Sequence, residues 1–218
     1  MNKCILLYIL CMLFSYTSKS SLYASSNVII LSEDVVKTRS IKNFNKQDNQ
    51  RDKIIEVFNY ACHGCYDFQR YMYFWKKNNL LVKEKMINYY LPINLYSEWI
   101  PLSKAYYASV RLNIIDKFHN NIFFNYHYSN DYGYKVSSIK KYFIKNDIKD
   151  IIFHKTINSF TILKDIKNTN KIKKDIFLSE TPAVIIYKYN KIFIITVKEE
   201  ETSVCPMITK LSHILKII

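Results

Sequence analysis

The sequence predicts an α/β fold, a central β-sheet carrying an inserted all-helical domain, and three observations point to it. Apolar runs of strand length sit early and late in the chain, at Ile54 to Tyr60, Lys85 to Ile93, Ala183 to Lys188 and Ile192 to Lys198. From Ser97 to about Ile166 the apolar residues recur instead at three- and four-residue steps, the period of helices. Cys62-His63-Gly64-Cys65 stands where the first of those runs gives way to a helix-patterned segment.

The elements follow in chain order. Asn2 and Lys3 form a short positive start, Ile5 to Phe14 is apolar apart from Tyr8 and Cys11, and small polar residues follow, so residues 1–24 read as an export signal. Two cleavage points compete, since Ala24 has the large Leu22 two residues before it whereas Ser20 pairs better with Ser18; an uncleaved anchor is the alternative. The apolar run is short for a membrane span, which needs about 20 residues. Asn27 to Val36 has strand character, and the polar stretch Thr38 to Lys53 reads as a connection. Ile54 to Tyr60 is dense in apolar residues, as in a central strand covered on both faces.

Cys65, Phe68, Met72 and Trp75 then mark an amphipathic helix that ends at Asn78-Asn79, and Lys85 to Ile93 returns to strand. Within the helical block, Leu102 to Ser109, Ile114 to Tyr126, Val136 to Ile144 and Ile151 to Ile166 make four helices, with a turn at Tyr132-Gly133. A lysine-rich helix from about Asn170 to Phe177 and a hairpin around Asn190 come next. After Pro206, Met207, Ile208, Leu211 and Leu215 fall on one face of a final helix. The expected boundaries are 1–24 for the signal, 25–96 and 169–218 for the two parts of the sheet domain, and 97–168 for the insertion.

With 218 residues, 49% of them hydrophobic, the chain can bury one core with a helical insertion and is too short for two full-sized domains. A net charge of +14 ordinarily raises nucleic acid or an anionic membrane surface as a partner. Here Lys, Asn, Ile, Tyr and Phe are inflated together while Gly, Pro, Ala and Arg are scarce, a bias that A/T-rich codons produce by themselves. No Arg-rich stripe or zinc-finger spacing accompanies it, so nucleic-acid binding is not expected.

Of five cysteines, Cys4 and Cys11 lie in the expected signal, leaving Cys62, Cys65 and Cys205. A close pair plus one remote thiol is not a disulfide-stapled scaffold, so Cys62 and Cys65 are expected to pair reversibly. Cys205 is left over, an inert and partly buried helix-entry residue ahead of Pro206. Tetrahedral zinc needs two further ligands, and neither a second Cys-x-x-Cys nor a closely spaced His pair supplies them. His119, His127, His154 and His213 are scattered through helical segments and read as solvated or core-satisfied, and no metal or organic cofactor is expected. Two cysteines at a strand-to-helix junction can instead close a small disulfide ring, with the helix N-terminus favouring the anion of the first. Gly64, one of two glycines in the chain, sits between them, where backbone or substrate comes closest.

Strand, Cys-x-x-Cys helix, strand, helical insertion, hairpin and final helix add up to a thioredoxin-like fold. The run Ile54 to Phe68 resembles the active-site region of the DsbA family, the bacterial periplasmic thiol:disulfide oxidoreductases. Trp99-Ile100-Pro101-Leu102 with Ala105-Tyr106-Tyr107-Ala108 is similar to the start of that family's helical insertion, and Glu180-Thr181-Pro182-Ala183-Val184 to its cis-proline loop. The similarity runs from about Asn27 to the C-terminus and is weakest in the middle helices.

This resemblance implies a monomeric, periplasmic oxidase that introduces disulfides into reduced exported proteins and is recharged by a quinone-linked membrane partner of the DsbB kind. A substrate thiolate attacks Cys62, Cys65 departs, and a second substrate thiol completes the exchange. Cys62, Cys65, His63 and Glu56 are the implied catalytic residues, Glu56 as the buried carboxylate that relays the proton of Cys65. Thr181, Pro182 and Gly64 are the implied substrate-binding residues, with Thr181-Pro182 as a cis loop opposite the dithiol. Two departures stand out. The familiar dipeptide is Pro-His, whereas His63-Gly64 puts the imidazole beside the first cysteine, which leaves a reductase or isomerase open. The family's lysine partner of the buried carboxylate is Asn88 here, so that pair reads as broken. A redox-inactive thioredoxin-fold chaperone or binding module is the alternative from another class.

Overall fold

Strand-dense and helix-periodic segments fold as two kinds of structure in the computed structural model, which describes residues 26–31, 52–78, 86–128, 135–188, 191–197 and 204–217. The signal expected at 1–24, the turn at Tyr132-Gly133 and the hairpin tip at Asn190 lie outside them. Five strands form one sheet: β1 (Ser26–Leu31), β2 (Asp52–Phe58), β3 (Met86–Pro92), β4 (Ala183–Lys188) and β5 (Lys191–Val197). Their spatial order is β1-β5-β4-β2-β3, with the β1–β5, β5–β4 and β4–β2 pairs antiparallel. The chain groups into two compact units, one of described residues within 1–57, 67–90 and 180–218, the other of 58–66 and 91–179.

In the sheet unit, β2 behaves as its composition demands. Successive strand residues face opposite sides, and Ile54, Ile55 and Val57 are all buried, so neither side of the strand meets water. Its register against β4 pairs Ile54 with Ile186 and Glu56 with Val184. The helix α1 (His63–Asn78) and the last helix α7 (Cys205–Ile217) supply the covering face. Phe68, Met72 and Trp75 from α1 and Met207, Ile208 and Leu211 from α7 share one core with Ile54, Val184, Ile186 and Ile195. These are the positions their helical spacing marks as apolar, and full burial of each such side chain contributes about 1.5–3 kcal/mol. Trp75 also donates its indole N–H to Ser212 Oγ at 2.7 Å, which keeps its polar edge satisfied.

The helical unit is built around α2 (Ile100–Arg111), entered through a 3₁₀ turn at Ser97–Trp99. It packs against α3 (Ile115–Tyr128), α4 (Val136–Lys145), α5 (Asp150–Ile157) and α6 (Phe160–Asp175). A helix with four neighbours needs small residues on its buried sides. Ser103, Ala105, Ala108 and Ser109 provide them, all fully buried.

Two expectations are corrected here. The helix read at Ile151 to Ile166 breaks at Asn158, and its second half runs on through the lysine-rich segment as one helix, α6. Ser159 causes the break: its hydroxyl accepts from the Ile162 N–H and restarts the helix as an N-cap. The boundary at 168/169 therefore falls inside α6, and the helical unit continues to Ser179.

Three helices of this unit end alike, with the residue after the cap left-handed and two reverse hydrogen bonds closing the end. Asn113 (φ 56°), Asp147 (φ 63°) and Phe177 (φ 53°) take that position after α2, α4 and α6. Ile114, Ile148 and Leu178 then donate to the carbonyls of Ser109, Phe143 and Lys173. In a chain with two glycines, side-chain-bearing residues fill places that glycine ordinarily takes.

Candidate active site

The dithiol begins on a turn that the helical unit holds from several sides. Asn59, buried, accepts from the Ala61 N–H through Oδ1 at 3.1 Å, while its own carbonyl accepts from the Cys62 N–H at 3.1 Å. Its amide donates to the Ile93 carbonyl at 2.8 Å and to Ser103 Oγ at 3.2 Å, and Ser103 passes the chain on to Asn94 Oδ1 at 2.8 Å. Buried polar groups linked in this way fix a backbone, because breaking one link strands a desolvated partner. Tyr60 is set among Phe58, Tyr106, Phe118, His119 and Phe123, with ring contacts throughout the group.

Cys62 is the N-cap of α1. Its carbonyl accepts the first helical bond from the Tyr66 N–H at 3.2 Å, and its sulfur accepts the Cys65 N–H at 3.2 Å. The sulfur thus occupies the place of a capping oxygen, where an anion is favoured by the free N–H groups and the helix dipole. No acidic residue lies in the first turn to oppose that charge. No disulfide joins the two cysteines in this structure. Cys62 keeps 9% of its surface against 2% for Cys65, so it is the more exposed residue of the two. His63 is exposed and Gly64 half-buried.

Sequence reasoning missed the residues that frame this turn. His119 Nδ1 and the Tyr60 hydroxyl share a hydrogen bond of 2.9 Å, and His127 Nε2 lies 3.0 Å from the Tyr60 carbonyl. Both come from α3, and both had read as scattered. Their spacing of eight residues, close to two helical turns, is the signal that puts them on one side of the helix.

Glu56, Thr181 and Pro182 belong to the sheet unit. Glu56 is buried in β2 and pairs with Lys76 of α1, which also stands over the ring of Tyr90 at 5.2 Å. The cation expected to be missing at Asn88 is therefore supplied from the helix. Burial pushes the Lys76 ammonium down, but the charge and hydrogen bonds of Glu56 and Tyr90 outweigh it, and its pKa is held above the ordinary lysine value. The Tyr90 phenol is raised as well, by burial first and then by the Glu56 carboxylate. The Thr181-Pro182 peptide bond is cis, directly ahead of β4, with Pro182 buried. Cys205 opens α7 and is half-buried, as expected, but it is not left over: it takes part in a disulfide. Among the described residues no group of three or more metal-ligating side chains is gathered, and no helix is long and apolar enough to cross a membrane.

No family model matches the sequence. A curated protein, the thiol:disulfide interchange protein DsbA of Burkholderia cepacia, is 26% identical over 137 residues, a match that spans 62% of this chain and 62% of that protein. A variant of Pseudomonas aeruginosa DsbA has a similar fold, with a TM-score of 0.66 at 14% identity over 78% of this chain and 89% of that one. A Proteus mirabilis DsbA solved with a non-covalently bound peptide has a TM-score of 0.55 at 18% identity, over 76% and 89% of the two chains. In its sheet and helical insertion, and in sequence over 137 residues, this chain is similar to DsbA proteins.

Proposed function

We propose that this protein is a thiol:disulfide oxidoreductase that introduces disulfide bonds into exported proteins in the periplasm. The observation that carries the reading is the Cys65 N–H donated to the Cys62 sulfur at the start of α1. A thiolate stabilised in that place makes the reduced enzyme the favoured form, and the disulfide correspondingly eager to accept electrons. A client thiolate attacks Cys62 Sγ of the oxidised enzyme, forming a mixed disulfide while the Cys62–Cys65 bond breaks and Cys65 takes a proton. The second client thiolate then attacks the client's own sulfur in that bond, and Cys62 leaves as a thiolate. Two electrons pass to the enzyme, and the client gains one disulfide.

Glu56 relays the proton to and from Cys65, and Gly64 leaves room beside the sulfurs for the client backbone. Thr181 and Pro182 bind the client by pairing backbone with an extended segment, as in strand addition. The support for these roles is the resemblance around Glu56 and Thr181-Pro182, and for client binding the peptide held by the Proteus mirabilis relative. A quinone-linked membrane oxidase of the DsbB kind recharges the dithiol. The export signal at 1–24 supports the periplasmic location.

Oxidation of a reduced two-cysteine peptide tests the reading. Wild type turns over, Cys62→Ala is inert, and Cys65→Ala accumulates a peptide–enzyme mixed disulfide. Peptide oxidation that survives Cys62→Ala would overturn it, as would binding of the peptide with no cysteine-dependent turnover.

A further inference from the structure

Two histidines of α3 hold one residue of the dithiol turn at both its ends, His119 at the hydroxyl of Tyr60 and His127 at its carbonyl. A carbonyl only accepts, so Nε2 of His127 carries a proton, and the acid–base exchange of this imidazole is confined to Nδ1. The ring fixed in this way stands edge-on to His63, with centroids 5.3 Å apart and planes at 76°, and 5.4 Å from Tyr66. His63 and Tyr66 belong to the first turn of α1, the turn that Cys62 caps.

We propose that His127 is a second imidazole of the dithiol site, a positioning residue whose second proton adds positive charge beside the Cys62 end of α1 and shifts the redox equilibrium toward the reduced form. The inference rests on the dithiol reading above and deepens it. Among the described residues set against the His127 ring are His63 and Tyr66 on α1, the Tyr60 carbonyl on the turn and Tyr126 on its own helix. Of these only His63 belongs to a residue type that ordinarily gains charge near neutrality. Asp67, next along α1, acts on Tyr71 one turn further on. Two imidazoles this close disfavour a shared double protonation. One proton on either ring is enough to supply the positive charge. No covalent step is added: the two electrons still come from the client thiols, and the imidazolium only neutralises the thiolate left on Cys62.

The experiment equilibrates wild type, His63→Gln, His127→Gln and the double variant with glutathione at about pH 5 and about pH 8, on either side of the ordinary imidazole pKa. Glutamine keeps an N–H for the Tyr60 carbonyl and removes the charge. At the lower pH, wild type and both single variants hold the dithiol reduced roughly tenfold more strongly than the double variant, about 30 mV for a two-electron couple. At the higher pH that margin closes. The proposal is overturned if His63→Gln alone already matches the double variant at the lower pH, or if the margin is the same at both. A measurement on wild type covers a variant that does not fold. By reciprocity, the His127 titration followed by NMR moves to a higher midpoint when the dithiol is reduced, and an unmoved midpoint sinks the proposal. A wild type that equilibrates with glutathione but oxidises no peptide would defeat the oxidase reading while leaving the imidazole result to stand by itself.

Discussion

Replacing Lys76 by Met removes the cation paired with a carboxylate that has almost no water: the Glu56 side chain is 3% exposed, that of Lys76 24%. Methionine keeps the aliphatic stem that passes Tyr90 and deletes the ammonium. Left alone, the Glu56 carboxylate is a buried charge without its counter-ion, and stranding one partner of a buried pair costs about 3–5 kcal/mol. Urea unfolding of wild type and variant at neutral pH measures the loss, and Lys76→Met/Glu56→Leu recovers most of it because no buried charge remains. A loss under about 1 kcal/mol, the range of an exposed pair, would refute the reasoning, since it would mean that Glu56 does not depend on Lys76 for its charge.

Two further outcomes are expected in the helical unit. Burial pushes the Tyr107 phenol up to about 12, more than its hydrogen bond with Thr169 pulls it down. Tyr107 therefore ionises late in a tyrosinate absorbance titration, Tyr107→Phe diminishes the late part of that curve by one tyrosine, and wild-type stability falls as pH rises from the ordinary tyrosine value toward 12. Phe177, left-handed after α6 and 81% exposed, buries too little to offset its backbone conformation. Phe177→Gly raises thermal stability by about 0.5–1 kcal/mol, read as an upward shift in Tm, and an unchanged or lower Tm contradicts the C-cap account.

The strands were legible because a strand buried on both sides, such as β2, has no polar alternation to blur it. The core faces of α1 and α7 were legible for the matching reason, an apolar stripe at helical spacing. The junction of α5 and α6 was not. Asn158 and Ser159 carry no stronger sequence mark than many other polar pairs in this chain, and only the Ser159 hydroxyl bond shows that one restarts a helix. At the site, Cys62 and Cys65 announced themselves by spacing, whereas His127 reaches Tyr60 across 67 residues and Lys76 reaches Glu56 across 20. Contacts of that span depend on how α3 and α1 pack, which local pattern does not encode. Asn88 misled for the same reason: a cation lost from a strand was replaced from a helix.

Cys62 as the cap of α1 ties the electron count of the protein to the tightness of one helical end. A reduced, anionic sulfur is a strong acceptor for the Cys65 amide; once bridged, the same atom is neutral and accepts weakly. Hydrogen–deuterium exchange at that single amide should therefore slow on reduction and quicken on oxidation, so the backbone itself registers whether the molecule is loaded or spent.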